Sequence, residues 1–326
     1  MVRASSFKNI VKFILVSLIF FFILRVLYQN WNQLSNYRLH FNYYFLVSSM
    51  CVLIAAYFIS NFTWYLLTEK INISLDYMSS TKNWFYSQLW RYIPGKFGII
   101  FGRAYLYHKE GISVKLTSFA ALIETVITFI SACIVFLLFF SFEEGLRSDI
   151  DININSILIV SSIAIIGMLV LLRPTIFQEI INFVLTLMKR ERIKLEWSYF
   201  DSIKILCCYL LTWLVLGFAF HLFINSFVYV PLKKVFFLTG SLAFASVVSL
   251  ISFFAPAGIG VREGILFILL SQILPESISV ILSVASRVWF IMAEMVVVAM
   301  IKIVDMIIIS RRRENIVNSD SIDLSK

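Results

Sequence analysis

Two stretches decide how this chain is built: Arg91-Tyr92-Ile93-Pro94-Gly95-Lys96-Phe97-Gly98, with Arg103 shortly after it, and Pro256-Ala257-Gly258-Ile259-Gly260-Val261-Arg262-Glu263-Gly264. Each is a proline–glycine break set in hydrophobic sequence, and each brings charge with it. A backbone broken at membrane depth leaves N–H and C=O groups that lipid cannot satisfy. Such breaks persist only where protein or a polar cavity supplies partners. Charges inside a membrane carry the same implication, so the two breaks mark a polar site or pathway within the bilayer.

The rest of the sequence supplies that bilayer setting. Sixty per cent of the residues are hydrophobic and 14% are charged, too few charges for the surface of a soluble domain of this length. The chain reads as all-α, a polytopic helical membrane protein. Six segments reach the ~20 residues needed to cross a bilayer: 10–28, 43–67, 115–140, 154–172, 203–229 and 277–309. The first follows Lys8 and runs into Arg25 without a small-x-small cleavage site, so it reads as a retained helix and not a signal peptide. Cys51, Cys133, Cys207 and Cys208 fall in apolar segments without paired spacing and read as small core residues. The net charge of +9 sits mostly in short connections, as expected beside anionic lipid, and is not a nucleic-acid footprint.

Around the first break, 81–93 and 97–110 are each too short to span. They suit a re-entrant helical hairpin; an amphipathic surface helix with Lys82, Arg91, Arg103 and Lys109 among head groups is the alternative. Around the second, 238–254 is nearly long enough to span and 265–274 is not, which leaves a hairpin or two full crossings open. Positive residues place the N-terminus in the cytoplasm, with Lys70, Lys82, the 189–194 cluster, Lys204 and Arg311–Arg313 on that side. Lys233 and Lys234 fall outside and oppose this orientation. The C-terminus also becomes cytoplasmic, and the location is the cell (inner or plasma) membrane. Residues 175–195 suit an interfacial helix, and 314–326, polar and without hydrophobic pattern, reads as a disordered cytoplasmic tail. Residues 1–313 form one membrane domain with a first hairpin unit at 81–140 and a second at 236–309.

The two units are similar to each other. Pro94 matches Pro256, a glycine turn follows each, then Arg103 or Arg262, then a long helix bearing one charge, Glu124 or Arg287. One unit enters from the cytoplasm and the other from outside, so the expectation is an inverted repeat of the kind used for alternating access.

Together the two motifs, with Gly111, Glu124 and Arg287, resemble the lysylphosphatidylglycerol synthase transmembrane family over roughly 10–310. That resemblance implies a bundle with two re-entrant hairpins and a role in moving or handling lipid-linked molecules. In the aminoacyl-lipid synthases this region passes charged phospholipid between leaflets, and a separate soluble domain makes the ester. With the sequence ending at Lys326 there is no room for that domain, so synthase activity is not expected to carry over. Ala257-Gly258 stands where many relatives resemble Gly-Gly, and no second glycine adjoins Gly95.

The residues expected to bind substrate or gate its passage are Arg91, Pro94, Gly95, Lys96, Gly98, Arg103, Glu124, Pro256, Gly258, Gly260, Arg262, Glu263, Arg287 and Glu294. An unpaired charge at a helix centre costs roughly 2.5–3.5 kcal/mol, so these charges should pair with one another, and Glu124 with Arg287 is the natural pair if the units face each other. Such pairs either join the two halves or serve a substrate. Lys96 and Arg103 beside an opened turn suit a lipid phosphate, or else snorkel to the head groups. Asp149 and Asp151 are either an acidic external loop or a metal-binding pair of a lipid-carrier transferase. The leading expectation is a flippase-like protein for an anionic or zwitterionic lipid or a polyprenyl-phosphate-linked lipid. A membrane transferase and a non-catalytic assembly subunit are the alternatives. No cofactor and no resident metal are expected. The expected partner is a membrane lipid or lipid-linked substrate, with a homo-oligomer or cell-envelope biosynthesis partners left open.

Overall fold

A computed structural model describes residues 41–92, 98–140, 197–252, 258 and 260–323, with scattered positions between 162 and 186. Its helices are α1 (Tyr43–Lys70), α2 (Tyr77–Gln88, extended by a 3-10 turn Leu89–Tyr92), α3 (Gly98–Lys109), α4 (Val114–Phe140), α5 (Tyr199–Asn225), α6 (Val235–Ile251, after a 3-10 turn Leu232–Lys234), α7 (Val261–Leu270) and α8 (Glu276–Asp323). Four of the described helical stretches are long and apolar enough to cross a membrane: Tyr43–Lys70, Val114–Phe139, Tyr199–Asn225 and Leu232–Ile251.

Polar residues start the helices. Asn42 caps α1 by accepting from the Tyr44 and Phe45 N–H groups. Asp76 caps α2 through Ser79 N at 2.9 Å. Ser198 and Asp201 form a reciprocal capping box at α5. Within the apolar helices, hydroxyls are satisfied locally. Thr63, Thr125, Thr212, Thr239 and Ser246 each donate to the carbonyl four residues back, so the donor is not left bare in lipid. Five buried indoles find side-chain acceptors as well: Trp64 on Tyr107, Trp84 on Glu124, Trp197 on Ser202, Trp213 on Ser131 and Trp289 on Ser49.

The core has two parts at opposite ends of the bundle. One gathers Trp64 and Leu67 of α1, Trp84 and Phe85 of α2, Tyr107 of α3, Ala120 to Ile130 of α4, Ile205 and Tyr209 of α5, and Val297 of α8. The other gathers Leu53, Ala132 to Val135, Ala219 to Ile224, most of α6, Leu266 to Leu270 of α7, and Ile278 to Ala293 of α8. Hence α4 runs from the first part to the second and α8 runs the opposite way. Helices α5 and α6 meet closely, since a Cβ on Gly217 would overlap the Thr239 side chain.

Each break joins two antiparallel arms. In the first, Gly102 faces Trp90, Arg103 faces Ser87 and Tyr107 faces Ser80, so α3 runs back along α2. In the second, Gly258 abuts Ser249 while Leu269 lies with Phe237 and Ser241, so α7 runs back along α6. Arms α2 and α3 have 12 residues each, about 18 Å at ~1.5 Å per residue, too short to span. At the second break α6 with its leading turn is long enough to cross, whereas α7 has 10 residues. Among the described residues the second break thus joins one arm of spanning length to one of 10 residues.

Two expectations change. The segment expected at 277–309 lies inside a single helix of 48 residues. The polar stretch from Glu314 does not lose regular structure at once, because α8 continues to Asp323. Arginine and glutamate are good helix formers, and neither glycine nor proline follows Arg313. The segment 10–28 lies outside the described residues, and 154–172 and 175–195 lie largely outside them.

Candidate functional site

The two hairpins and the helices behind them enclose a cavity of about 570 Å³. All eight helices contribute to its wall. Seven of the expected site residues line it: Arg91, Arg103, Glu124, Gly258, Arg262, Arg287 and Glu294. Gly98, Gly260 and Glu263 belong to the same hairpins but do not line it. Pro94, Gly95, Lys96 and Pro256 lie outside the described residues, as do Asp149 and Asp151.

The charges pair in an order the sequence did not predict. Glu124, on α4, accepts from Arg103 Nη1 and from the Trp84 indole at 3.1 Å. Arg103 is 1% exposed. Its Nε donates to Ser87 Oγ at 3.1 Å and its guanidinium lies 4.1 Å from the centre of the Trp64 ring, so the cation is enclosed by an anion, a hydroxyl and an aromatic face. Arg287, on α8, donates instead to Glu263 Oε1 at 2.8 Å. The expected Glu124–Arg287 pair is therefore replaced by two pairs, one inside each unit. The reason is geometric: each return arm packs on the long helix that follows it, α3 on α4 and α7 on α8, and this proximity outweighs complementarity across the units.

The two pairs have reversed polarity. In the first unit the return arm carries the arginine and the long helix the glutamate; in the second the arm carries Glu263 and the long helix Arg287. Glu263 has a second task. Its Oε2 accepts the Gly260 N–H at 2.7 Å, so one carboxylate fixes both the start of α7 and its contact with α8. Gly260 has φ 85° and Gly258 φ 65°, the left-handed region that favours glycine. A side chain on Gly258 would also collide with Ser249. Their place in the motif is thus conformational.

A third pair does cross between units. Arg91 donates to Glu294 Oε1 at 3.0 Å and to Gln88 Oε1 at 2.6 Å. Nearby, Lys82 of α2 meets Asp305 of α8 at 2.7 Å, so two ion pairs bind the first hairpin to α8. Arg262 is what remains. Its guanidinium lies 4.3 Å from the Phe290 ring centre, and no carboxylate lies within ion-pair distance of it among the described residues. Among the described residues the site thus holds three ion pairs, and Arg262 is a cation outside them.

Several residues of the site escaped the sequence reading. Trp64, Trp84 and Ser87 surround Arg103, and Tyr209, 1% exposed, lines the cavity with a hydroxyl that has no hydrogen-bond partner among the described residues. A signal existed for the tryptophans, since every indole N–H in an apolar chain needs an acceptor. Leu122 and Leu250 line the cavity and are 37% and 44% exposed, so the cavity reaches the apolar outer surface beside them. Among the described residues no cluster of His, Cys, Asp or Glu could hold a metal ion.

Apolar helices long enough to cross a bilayer, enclosing a charged cavity between two broken hairpins, define an integral membrane protein of all-helical fold. The chain belongs to the lysylphosphatidylglycerol synthase TM region family, whose model matches residues 9–293. No curated protein matches the chain.

Proposed function

We propose that this protein is a lipid translocator in the cell membrane whose cavity receives an anionic or zwitterionic head group while the acyl or polyprenyl tails stay in the bilayer. In this reading the two hairpins are re-entrant, entering from opposite faces as an inverted repeat, and the N- and C-termini are cytoplasmic. The observation that carries it is the cavity itself: charged side chains of both units line it, and so do Leu122 and Leu250, which are 37% and 44% exposed. A head group needs the first property and a tail needs the last. The opposite senses of α4 and α8 and the polarity-reversed ion pairs suit two inverted units. Lys70, Lys82 and Lys204 gather toward one end, with Lys70 held by Asp201 at 3.0 Å, in keeping with a single cytoplasmic face.

Lipid scrambling in proteoliposomes tests this, using fluorescent phospholipid and polyprenyl-phosphate probes. The wild type should accelerate exchange of one probe class, and Arg262→Gln should slow it. Equal rates in protein-free, wild-type and Arg262→Gln vesicles, with folded protein inserted, would remove the basis for translocation.

A further inference from the structure

We infer that the head group is a phosphate ester carrying an uncharged polyhydroxyl group, and not an amine-bearing one; this rests on the cavity being a lipid head-group site. Three features carry the inference. First, each carboxylate at the site is already engaged: Glu124 by Arg103, Glu294 by Arg91 and Glu263 by Arg287. Among the described residues, an ammonium entering the cavity would find no carboxylate outside an ion pair and would meet Arg262. A phosphate finds in Arg262 a guanidinium with five donors and, among the described residues, no carboxylate within ion-pair distance.

Second, the cavity wall carries several hydroxyls. Thr125, Thr128, Thr212 and Ser246 line the cavity. Thr125, Thr212 and Ser246 donate their hydrogens to backbone carbonyls four residues back, so their oxygens are left as acceptors. A polyol offers the matching donors. Third, the Tyr209 hydroxyl is buried, with no hydrogen-bond partner of good geometry among the described residues, and its polar neighbours are Thr128 and Glu124. A buried hydroxyl in that state is unfavourable until a ligand satisfies it. Glycerol on a phospholipid and a sugar on an isoprenyl phosphate share this chemistry.

The test uses the full chain in phosphatidylcholine nanodiscs and reads fluorescence of the cavity tryptophans Trp84 and Trp213. The probes are dioctanoyl phosphatidylglycerol, its lysyl ester, dioctanoyl phosphatidic acid, and a short isoprenyl phosphoryl glucose. The polyol phosphodiesters should bind about tenfold or more tightly than the lysyl ester. Arg262→Gln should weaken them about tenfold and Arg262→Lys much less. Tyr209→Phe should weaken the polyol probes but not phosphatidic acid. Whichever of phosphatidylglycerol and the isoprenyl probe binds tighter identifies the source. Lysyl ester binding as tightly as its parent would overturn the inference and leave a lipid site standing. So would an Arg262→Gln protein, shown monodisperse, with unchanged preferences. No binding by any probe, together with no scrambling, would remove the lipid-site reading itself.

Discussion

Replacing Glu124 by glutamine tests whether the paired charges hold the first unit together. Arg103 is 1% exposed, and the Glu124 side chain is 12% exposed, so the change leaves a buried guanidinium without its anion. Removing one partner of a buried pair costs about 3–5 kcal/mol. Here the lower end applies, because Ser87 Oγ and the Trp64 face remain in place and a desolvated cation–aromatic contact contributes up to about 2 kcal/mol. About 3 kcal/mol corresponds to a loss near 6 °C, at roughly 2 °C per kcal/mol for a chain of this size. Thermal unfolding in nanodiscs, followed by tryptophan fluorescence, measures it. The double change Arg103→Gln with Glu124→Gln should recover most of the loss, since a neutral hydrogen-bonded pair carries no unpaired charge. Melting of the single variant within a degree of wild type would refute the assignment. A double variant losing the sum of the two single losses would refute it equally.

Arg262→Gln should behave differently, melting within about 1 kcal/mol of wild type because only a half-buried cation–aromatic contact is lost; a large loss would mean that Arg262 is structural. Across the units, a double-mutant cycle on Arg91→Gln and Glu294→Gln should give a coupling on the order of 1 kcal/mol, reduced by the 38% exposure of the Arg91 side chain, and additivity would sever the link between the first hairpin and α8. Gly217→Ala should cost about 1–3 kcal/mol by forcing α5 away from Thr239, read from the same melts. The Asp76 carboxyl, outside the spans, is held below its ordinary value of 3.8 chiefly by the Ser79 backbone N–H. Its folded value is depressed, so its contribution to stability is present above pH 3.8 and is lost as the pH falls through the lower folded value. Asp76→Ala should remove about 1 kcal/mol at neutral pH and flatten that acid limb.

The sequence was informative wherever backbone chemistry decides structure. Segments read at 43–67, 115–140 and 203–229 became Tyr43–Lys70, Val114–Phe140 and Tyr199–Asn225, because a run of apolar residues long enough to span has few other outcomes in lipid. Both breaks were legible for a similar reason: proline removes a donor and glycine permits the turn. Pairing was not legible. Arg103 and Glu124 are 21 residues apart across a turn, and which partner a charge meets depends on helix rotation and on which helices pack, neither of which spacing reveals. Tyr209 was missed because a tyrosine in an apolar helix gives no sign that its hydroxyl will find no partner.

What the pairing adds is a reason for the similarity between the units to be so weak in letters. An arginine on one return arm and a glutamate on the other do the same mechanical work, each tying its arm to the long helix behind it. The tie itself needs only opposite charges, whichever helix carries which. The units can therefore diverge in sequence while keeping the contact. The swap also has an electrical consequence: each tie is neutral as a pair, so the two hairpins contribute no net charge through them, and among the described residues Arg262 is a charge left over beside them. Exchanging the charges within the second unit, Glu263→Arg with Arg287→Glu, should keep the tie but release the Gly260 N–H from its carboxylate. If the tie alone mattered, the swapped protein would melt like wild type. Because Glu263 also caps α7, a net loss of about 1 kcal/mol is expected, and its absence would show that the polarity of the second unit is arbitrary.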